Sequence, residues 1–359
     1  MTIYPGALAP RFVGATTTNP RYTSAAFGGR YVIMVFFPLD LGLREASLGL
    51  MAAHRSLFDD QSISAFGVLR DEASIAKARD QRGLRWFLDR DAAISTLFEA
   101  FVAPDREQPR WVLIDPFECI QAWTPIENGE RFFELVRSLP APQDHAGVPL
   151  TAPVLVAPRI FDPGLCRRLI AYYQQDGGRP SGVMREVDGK TIPVLDDYKR
   201  RRDADITDSV LIGEVRRAIR RRLLPQIIKA FQFRVTHQER DIVACYDAAD
   251  GGYFMPHRDD TTRGTAHRKF ACSINLNAEE FEGGDLRFPE FGSRTYRPPT
   301  GGAVVFSCSL LHEAMPVTKG RRYAYLPFFY DDVGAEVRTA NFGFLETPGD
   351  PNLVEPSPD

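Results

Sequence analysis

The run GGYFMPHRDDTTRG, residues 251–264, holds a histidine and two adjacent aspartates in a turn-rich passage. If YFMPHRDD leaves the preceding DAADGG turn as a strand, side chains alternate faces. His257 and Asp259 then project together, while Arg258 and Asp260 point the other way. One imidazole nitrogen and one carboxylate oxygen at the same point in space are two-thirds of a two-histidine, one-carboxylate facial triad, the donor set of non-haem iron(II) sites with open positions. Asp260 reads as a turn residue. A third ligand must come from elsewhere, and the chain has six histidines. His54 lies in the first half and His145 in a proline-rich stretch. His237 precedes the strand-rich region, and His267 follows the pair by ten residues at an expected strand start. His312, in VVFSCSLLHEAMPV, follows an apolar strand about fifty residues after the pair, where two strands of a barrel can meet across a cavity. A lone His-x-Asp is a frequent chance match, but one followed at that distance by such a histidine is more specific.

The elements that must position these residues fall into two regions with different patterning. In the first, RYVIMVFFP (30–38) is a continuous apolar run of strand length, the mark of a strand buried on both faces. REASLGLMAAHRSLFDD (44–60) has helical periodicity, ISAFGVLRD reads as a strand and EASIAKARDQRG as a short polar helix. AAISTLFEAF reads as helical, RWVLIDPFECIQAW (110–123) as strands around a turn at Pro116, and GERFFELVRSL as a closing helix. Strands alternating with helices imply a mostly parallel sheet covered by helices. PAPQDHAGVPLTAP (140–153) is proline-rich and aperiodic, a linker by composition. Beyond it, DPGLCRRLIAYYQQ (162–175) predicts a helix with Asp162 as N-cap and Pro163 at its first position, and a second helix is expected over 207–231. From Asp241 to Asp331 only short strand-like runs occur, punctuated by glycine and proline as in a sandwich or barrel. The resulting division is 1–140, a linker at 141–153, a second domain at 154–345 and a flexible tail at 346–359.

Composition bounds the function. The 359 residues are 44% hydrophobic and 25% charged with net charge −3, without the basic excess of a nucleic-acid or membrane-surface binder. The runs YKRRRDAD (198–205) and RRAIRRRL (216–223) are local exceptions, and the second reads as a solvated helix face. No apolar run approaches the roughly twenty residues that span a bilayer, and MTIYPGALAP lacks the form of a secretory signal. The five cysteines are scattered singly, as expected of free thiols in a reducing cytoplasm.

Four consecutive blocks, YDAADGGYFMPHRDD, SINLNAEEFEGGDLRFPEFG, RPPTGGAVVFSCSLLHEAMPV and TKGRRYAYLPFFY, stand in the order and spacing of a known family. Residues 241–331 resemble the iron(II)- and 2-oxoglutarate-dependent oxygenases of the prolyl 4-hydroxylase type, and the likeness extends more weakly back to about 155 through RIFDPGLCRRLI. The resemblance implies a double-stranded β-helix (jelly roll) with flanking helices, with His257, Asp259 and His312 as both metal ligands and catalytic centre. Arg322, ten residues past the distal histidine, matches the basic residue that holds the distal carboxylate of 2-oxoglutarate. A guanidinium suits that task because it offers two parallel donors and stays charged when half-buried. Arg322 alternates with Ala324 and Leu326 on an inward face, which leaves Arg321 to solvent. Tyr246 matches a tyrosine that contacts the cosubstrate in many members, although a core aromatic would look the same. The implied activity is hydroxylation of an unactivated C–H bond in an amino acid, a peptidyl residue or a small metabolite. Oxygen and 2-oxoglutarate are consumed, succinate and carbon dioxide released, and ascorbate serves as reductant. Related halogenases lack the carboxylate ligand, so retention of Asp259 points to hydroxylation. A non-catalytic sensor of iron or 2-oxoglutarate is the alternative. Arg185, Lys190 and the YKRRRD run are placed either to line an entrance favouring an anionic substrate or simply as surface charge.

YPGALAPRFVGATTTN, GGRYVIMVFFPLD and RWVLIDPFECIQAW resemble the peroxiredoxin branch of the thioredoxin fold across about 1–140. The resemblance fails at the decisive point. Where the family carries its peroxidatic cysteine, this chain reads LGLREAS after VFFPLD, and no cysteine precedes Cys119. Without a thiolate at a helix N-terminus there is no nucleophile for peroxide. The first half is therefore expected to be a redox-dead scaffold, for which dimerisation, substrate capture or protection of the oxygenase are the open roles.

Overall fold

The computed structural model of the chain describes residues 3–103 and 106–345; the expected tail at 346–359 lies outside them. The chain forms two compact units, residues 1–151 with 289–293, and residues 152–288 with 294–359.

The first unit is α/β. Its sheet is built from β1 (Tyr31–Phe36), β2 (Ile63–Leu69), β3 (Leu84–Leu88), β4 (Arg110–Ile114) and β5 (Ile120–Pro125), in the order β3-β2-β1-β4-β5. β1, β2 and β3 are parallel, while β4 and β5 are antiparallel additions. The all-apolar sequence of β1 follows from burial on both faces. Ile33 and Val35 join Trp111, Phe132 and Phe133 on one side, and Val32, Met34 and Phe36 join Phe66, Phe87 and Phe98 on the other. Helix α1 (Leu41–Ala53) is capped by Asp40, whose side chain accepts the Leu43 N–H at 2.8 Å, and α2 (Glu72–Lys77) is capped by Asp71. A closing helix, α3 (Gly129–Arg137), buries Phe132, Phe133 and Val136.

No cysteine stands at the start of α1. Cys119 sits half-buried between β4 and β5, and burial, then Asp115 and Glu118, pushes its thiol further from ionisation. Since the thiolate is the reactive form, the full chain should show no steady thiol-dependent turnover of hydrogen peroxide. A turnover that vanished on Cys119→Ser would contradict this.

The second unit packs helices on one of two antiparallel sheets. The strands of these two sheets are β6 (Leu155–Ala157), β7 (Arg179–Pro180), β8 (Lys199–Arg200), β9 (Arg202–Asp205), β10 (His237–Glu239), β11 (Ile242–Asp247), β12 (Tyr253–His257), β13 (Phe270–Asn275), β14 (Leu286–Arg287), β15 (Thr295–Tyr296), β16 (Ala303–Ser307), β17 (His312–Ala314), β18 (Arg321–Tyr325) and β19 (Phe328–Tyr330). The larger sheet runs β6-β16-β13-β18-β11-β9-β7, with β19 pairing β13 and β10; the smaller runs β8-β12-β17-β14-β15. Tyr246 from the larger sheet meets Phe254 and Ala314 from the smaller, with Phe281 and Val317, in a shared apolar cluster. The opposite face of the larger sheet is covered by α4 (Pro163–Asp176), α5 (Ser209–Arg222) and α6 (Leu224–Phe231), through Leu165, Leu169, Val215, Ile219 and Ile227 against Val243, Ile274, Tyr323 and Tyr325.

Asp162 caps α4 through the Leu165 N–H at 3.0 Å with Pro163 in the first turn, and Gly177 ends the helix at φ 83°, a conformation glycine adopts freely. The single helix expected over 207–231 is two, α5 and α6. Pro225 has no N–H to donate and its ring crowds the carbonyl four residues back, so the chain restarts as a new helix with the proline in its first turn. Residues 177–206, assigned no elements from sequence, form β7, β8, β9 and a hairpin pairing Val183–Val187 with Lys190–Val194.

Candidate metal centre

His257 is the last residue of β12 and His312 the first of β17, and the two are direct cross-strand partners after a register irregularity between Phe254 and His257. Their ring centroids lie 4.2 Å apart. Each Nδ1 is held by the carbonyl two residues earlier, Met255 O at 2.7 Å and Leu310 O at 3.0 Å. That bond fixes Nδ1 as the protonated nitrogen and leaves the Nε2 lone pair free, the arrangement that orients a metal-binding histidine.

The strand expected through Asp259 stops at His257, and Asp259 lies in the following turn. Its N–H donates to Cys308 O at 2.9 Å, and that bond, not strand alternation, brings the carboxylate back to the histidines. Asp259 Oδ1 is 3.6 Å from His257 Nε2, and Oδ2 is 3.2 Å from His312 Nε2. All three donor atoms lie within 4.8 Å of one another. Ligand atoms at right angles on bonds of about 2.1 Å would stand about 3 Å apart, so this N2O set fits one transition-metal ion. Burial, then His312, pushes the His257 imidazole well below its ordinary pKa, favouring the neutral ligand form. Burial alone would raise Asp259, but His312 and His257 outweigh it and keep the carboxyl ionised far below the usual range. Phe254 stacks on His257 with centroids 3.4 Å apart, and Phe306 lies 4.5 Å from His312, so apolar rings wall the site. Asp260 accepts a hydrogen bond from the Ser309 hydroxyl and stays outside the cluster.

The remaining histidines are used elsewhere. His267 is buried in a turn and bonds Glu239 at 2.9 Å, His237 stacks on Tyr330, and His54 stacks on Phe133. His145, expected in a linker, packs edge-on against Phe117 beside a short helical turn at Pro142–Asp144.

Arg322 and Tyr246 are cross-strand partners on β18 and β11. Both are about 3% exposed, and the Arg322 guanidinium carbon sits 5.2 Å from the tyrosine ring centre. Arg322 Nη1 donates to Gly284 O and Nη2 to Ser273 Oγ, each at 2.8 Å, and among the described residues no carboxylate lies within ion-pair distance of it. Burial lowers its pKa, as expected of a buried cation that lacks a counter-ion. Arg321 points the other way and pairs with Asp247 near solvent.

The YKRRRD run, open from sequence to either an entrance lining or surface charge, turns two of its basic side chains inward. In the run KRRRD, alternation sends Lys199, Arg201 and Asp203 to the inner face, while Ala204 joins the helix-covered core. Arg201 is 8% exposed and grips Asp203 through two nitrogens at 2.7 and 2.6 Å, while its Nη1 lies 3.4 Å from the Tyr246 hydroxyl. The period-2 spacing was visible, but a block of like charges reads as surface. Of the other proposed entrance residues, Arg185 pairs with Asp196, and Lys190 donates to Gly343 O at 2.7 Å.

The buried ion pair makes a stability prediction. Burial would raise the Asp203 carboxyl, but Arg201, then Arg240 and Lys199, hold it down at about 2. A depressed folded pKa stabilises the chain above the ordinary value of 3.8 and is lost as pH falls towards about 2. Asp203→Asn should cost about 3–5 kcal/mol at neutral pH by leaving Arg201 buried without its partner. The deficit should shrink at pH 2.5, as read from thermal unfolding; an unchanged transition at neutral pH would contradict the assignment.

No family model matches the chain. A segment of it is similar to PKHD-type hydroxylases: 30% identical over 89 residues to that of Synechococcus sp. (strain JA-2-3B'a(2-13)) and 32% over 91 residues to that of Pseudomonas fluorescens. Each match covers 23% of this chain and 39% of the relative, so the chain spans about two-fifths of the length of these curated relatives. Among solved structures, a prolyl hydroxylase from Trichoplax adhaerens is 15% identical with TM-score 0.42, covering 58% of this chain and 94% of that one. A mitochondrial 2-Cys peroxiredoxin from Plasmodium falciparum is 13% identical with TM-score 0.31, covering 38% and 97%. No helix among the described residues is long and apolar enough to cross a membrane.

Proposed function

We propose that the second unit is a jelly-roll oxygenase domain that uses iron(II) and 2-oxoglutarate to hydroxylate a C–H bond, and that the first is a thioredoxin-like scaffold without redox activity of its own. The observation that carries this reading is the pairing of a two-histidine, one-carboxylate cluster with a buried arginine that has no carboxylate partner among the described residues. A structural metal site would have no use for that arginine, and a buried guanidinium is costly without an anion.

His257, Asp259 and His312 would hold the iron. When bound, iron with 2-oxoglutarate supplies the oxidising chemistry, and the remaining contributions belong to the chain. Met255 O and Leu310 O fix the histidine rings so that both Nε2 atoms face one point. Ser273 Oγ and Gly284 O hold two of the Arg322 nitrogens, which orients the guanidinium fork for a bidentate grip on the distal carboxylate of 2-oxoglutarate. Phe254, Phe306 and Phe288 keep water from the histidines and so strengthen every charge interaction there.

The test is product. Iron-loaded chain given 2-oxoglutarate, oxygen and a substrate panel should release succinate in step with a product heavier by one oxygen atom. Tight binding of both iron and 2-oxoglutarate, with no oxygenated product from any amino acid, peptide or metabolite tried, would instead make the chain a sensor.

A further inference from the structure

A second cationic feature stands beside the proposed centre. Lys199 is half-buried, and its ammonium donates to Gly182 O and lies 4.9 Å from the centre of the Phe254 ring. Among the described residues, no carboxylate comes within ion-pair distance of it. The Phe254 ring centre is in turn 3.4 Å from that of His257, so the two distances place the ammonium within 8.3 Å of the His257 ring centre. Arg201, two residues on, faces the same side, and its guanidinium carbon is 5.8 Å from the ring of Tyr246, whose other neighbour is Arg322. Three basic side chains therefore share the inner wall, and among the described residues only Arg201 of the three has a carboxylate in contact.

Lys199 and Arg201 also line a cleft of about 540 Å³ in the same unit. None of His257, Asp259, His312, Arg322 or Phe254 lines it, and Lys199 is the residue that both lines the cleft and contacts the Phe254 ring stacked on His257. Its walls carry five lysine and arginine side chains against three aspartates. The volume lies in the range of small-molecule sites, and the charge excess favours an anion.

Resting on the oxygenase reading, we propose that Lys199, with Arg201 beside it, binds a carboxylate of the substrate to be oxidised, and that this substrate is a small free acid such as an amino acid. One carboxylate on Lys199 would leave carbons a few bonds away able to reach past Phe254 to the metal centre, while Arg322 stays committed to 2-oxoglutarate. A neutral peptide segment would leave Lys199 with no counter-ion.

The experiment uses the full chain loaded with iron(II) and 2-oxoglutarate under anaerobic conditions. Free L-amino acids, their C-terminal amides and the capped peptide acetyl-Gly-Asp-Gly-amide are titrated in by calorimetry. At least one free amino acid should bind, with its amide about tenfold or more weaker. Lys199→Gln, which keeps a donor for Gly182 O, and Lys199→Met should both erase that preference, whereas Lys199→Arg should keep much of it. Two Lys199 variants guard against one that fails to fold. Lys199-dependent binding of the capped peptide in place of the free acids would keep the carboxylate subsite and assign its source to an acidic side chain. Wild-type chain that binds no probe through a carboxylate, or a preference that survives both Lys199→Gln and Lys199→Met, would overturn the proposal. The 2-oxoglutarate titration of the same wild-type sample separates the two readings. If 2-oxoglutarate binds and no carboxylate probe does, only the substrate inference fails; if 2-oxoglutarate itself does not bind, the oxygenase reading fails.

Discussion

Alanine at His257 or at His312 is expected to strip the chain of bound iron(II). The wild-type chain should hold about one equivalent, matching a single N2O donor set. Each histidine contributes one Nε2 that its backbone hydrogen bond has already aimed, so either substitution removes a ligand outright. The loss should exceed the roughly 10–100-fold that follows removal of a residue merely supporting a ligand. His237→Ala is the informative control, because that side chain lies at β10, stacked on Tyr330, and should leave the iron content intact. Iron retained in both His257→Ala and His312→Ala would remove the metal centre from the account.

The second large effect concerns Arg322. Replacing it by methionine keeps much of the packing volume but removes the donors. Losing charge-assisted hydrogen bonds to a carboxylate should cost about 1.5–3 kcal/mol, or about ten- to hundredfold in 2-oxoglutarate affinity. Iron binding should survive, since no ligand is touched. Arg322→Lys should fall between the two, keeping the charge and losing the fork. Arg321→Met should leave the affinity unchanged, because Arg321 is on the opposite face with Asp247. Titrating 2-oxoglutarate into anaerobic iron-loaded protein, and following the metal-to-ligand absorption band, reads all four proteins. If Arg321→Met weakened the cosubstrate and Arg322→Met did not, the assignment of the anchor would be wrong.

What the sequence made legible was what periodicity encodes. The apolar run of β1 announced a strand covered on both faces, and Asp162 with Pro163 announced the start of α4. Arg322 and Ala324 fell on the inner face of β18 because strand side chains alternate, and neighbouring Tyr323 and Tyr325 went to the helix-covered core. Less local features were less legible. Asp259 reaches the histidines by a turn closed on Cys308 O, a partner about fifty residues away that no local pattern names. The break between α5 and α6 needed only the proline, which the long helical periodicity concealed. Which members of the YKRRRD run turn inward was hidden for a different reason. Four consecutive cations look like a solvated surface, and only the pairing of β8 with β12 and of β9 with β11 turns alternate members inward.

The most direct test is a crystal of the full chain soaked anaerobically with iron(II) and 2-oxoglutarate, with anomalous data collected at the iron edge. The account predicts one strong peak about 2 Å from the Nε2 atoms of His257 and His312 and from a carboxylate oxygen of Asp259. It also predicts density for 2-oxoglutarate running from that peak to the Arg322 guanidinium. A peak at any other set of side chains, or 2-oxoglutarate bound with its distal carboxylate away from Arg322, would contradict it.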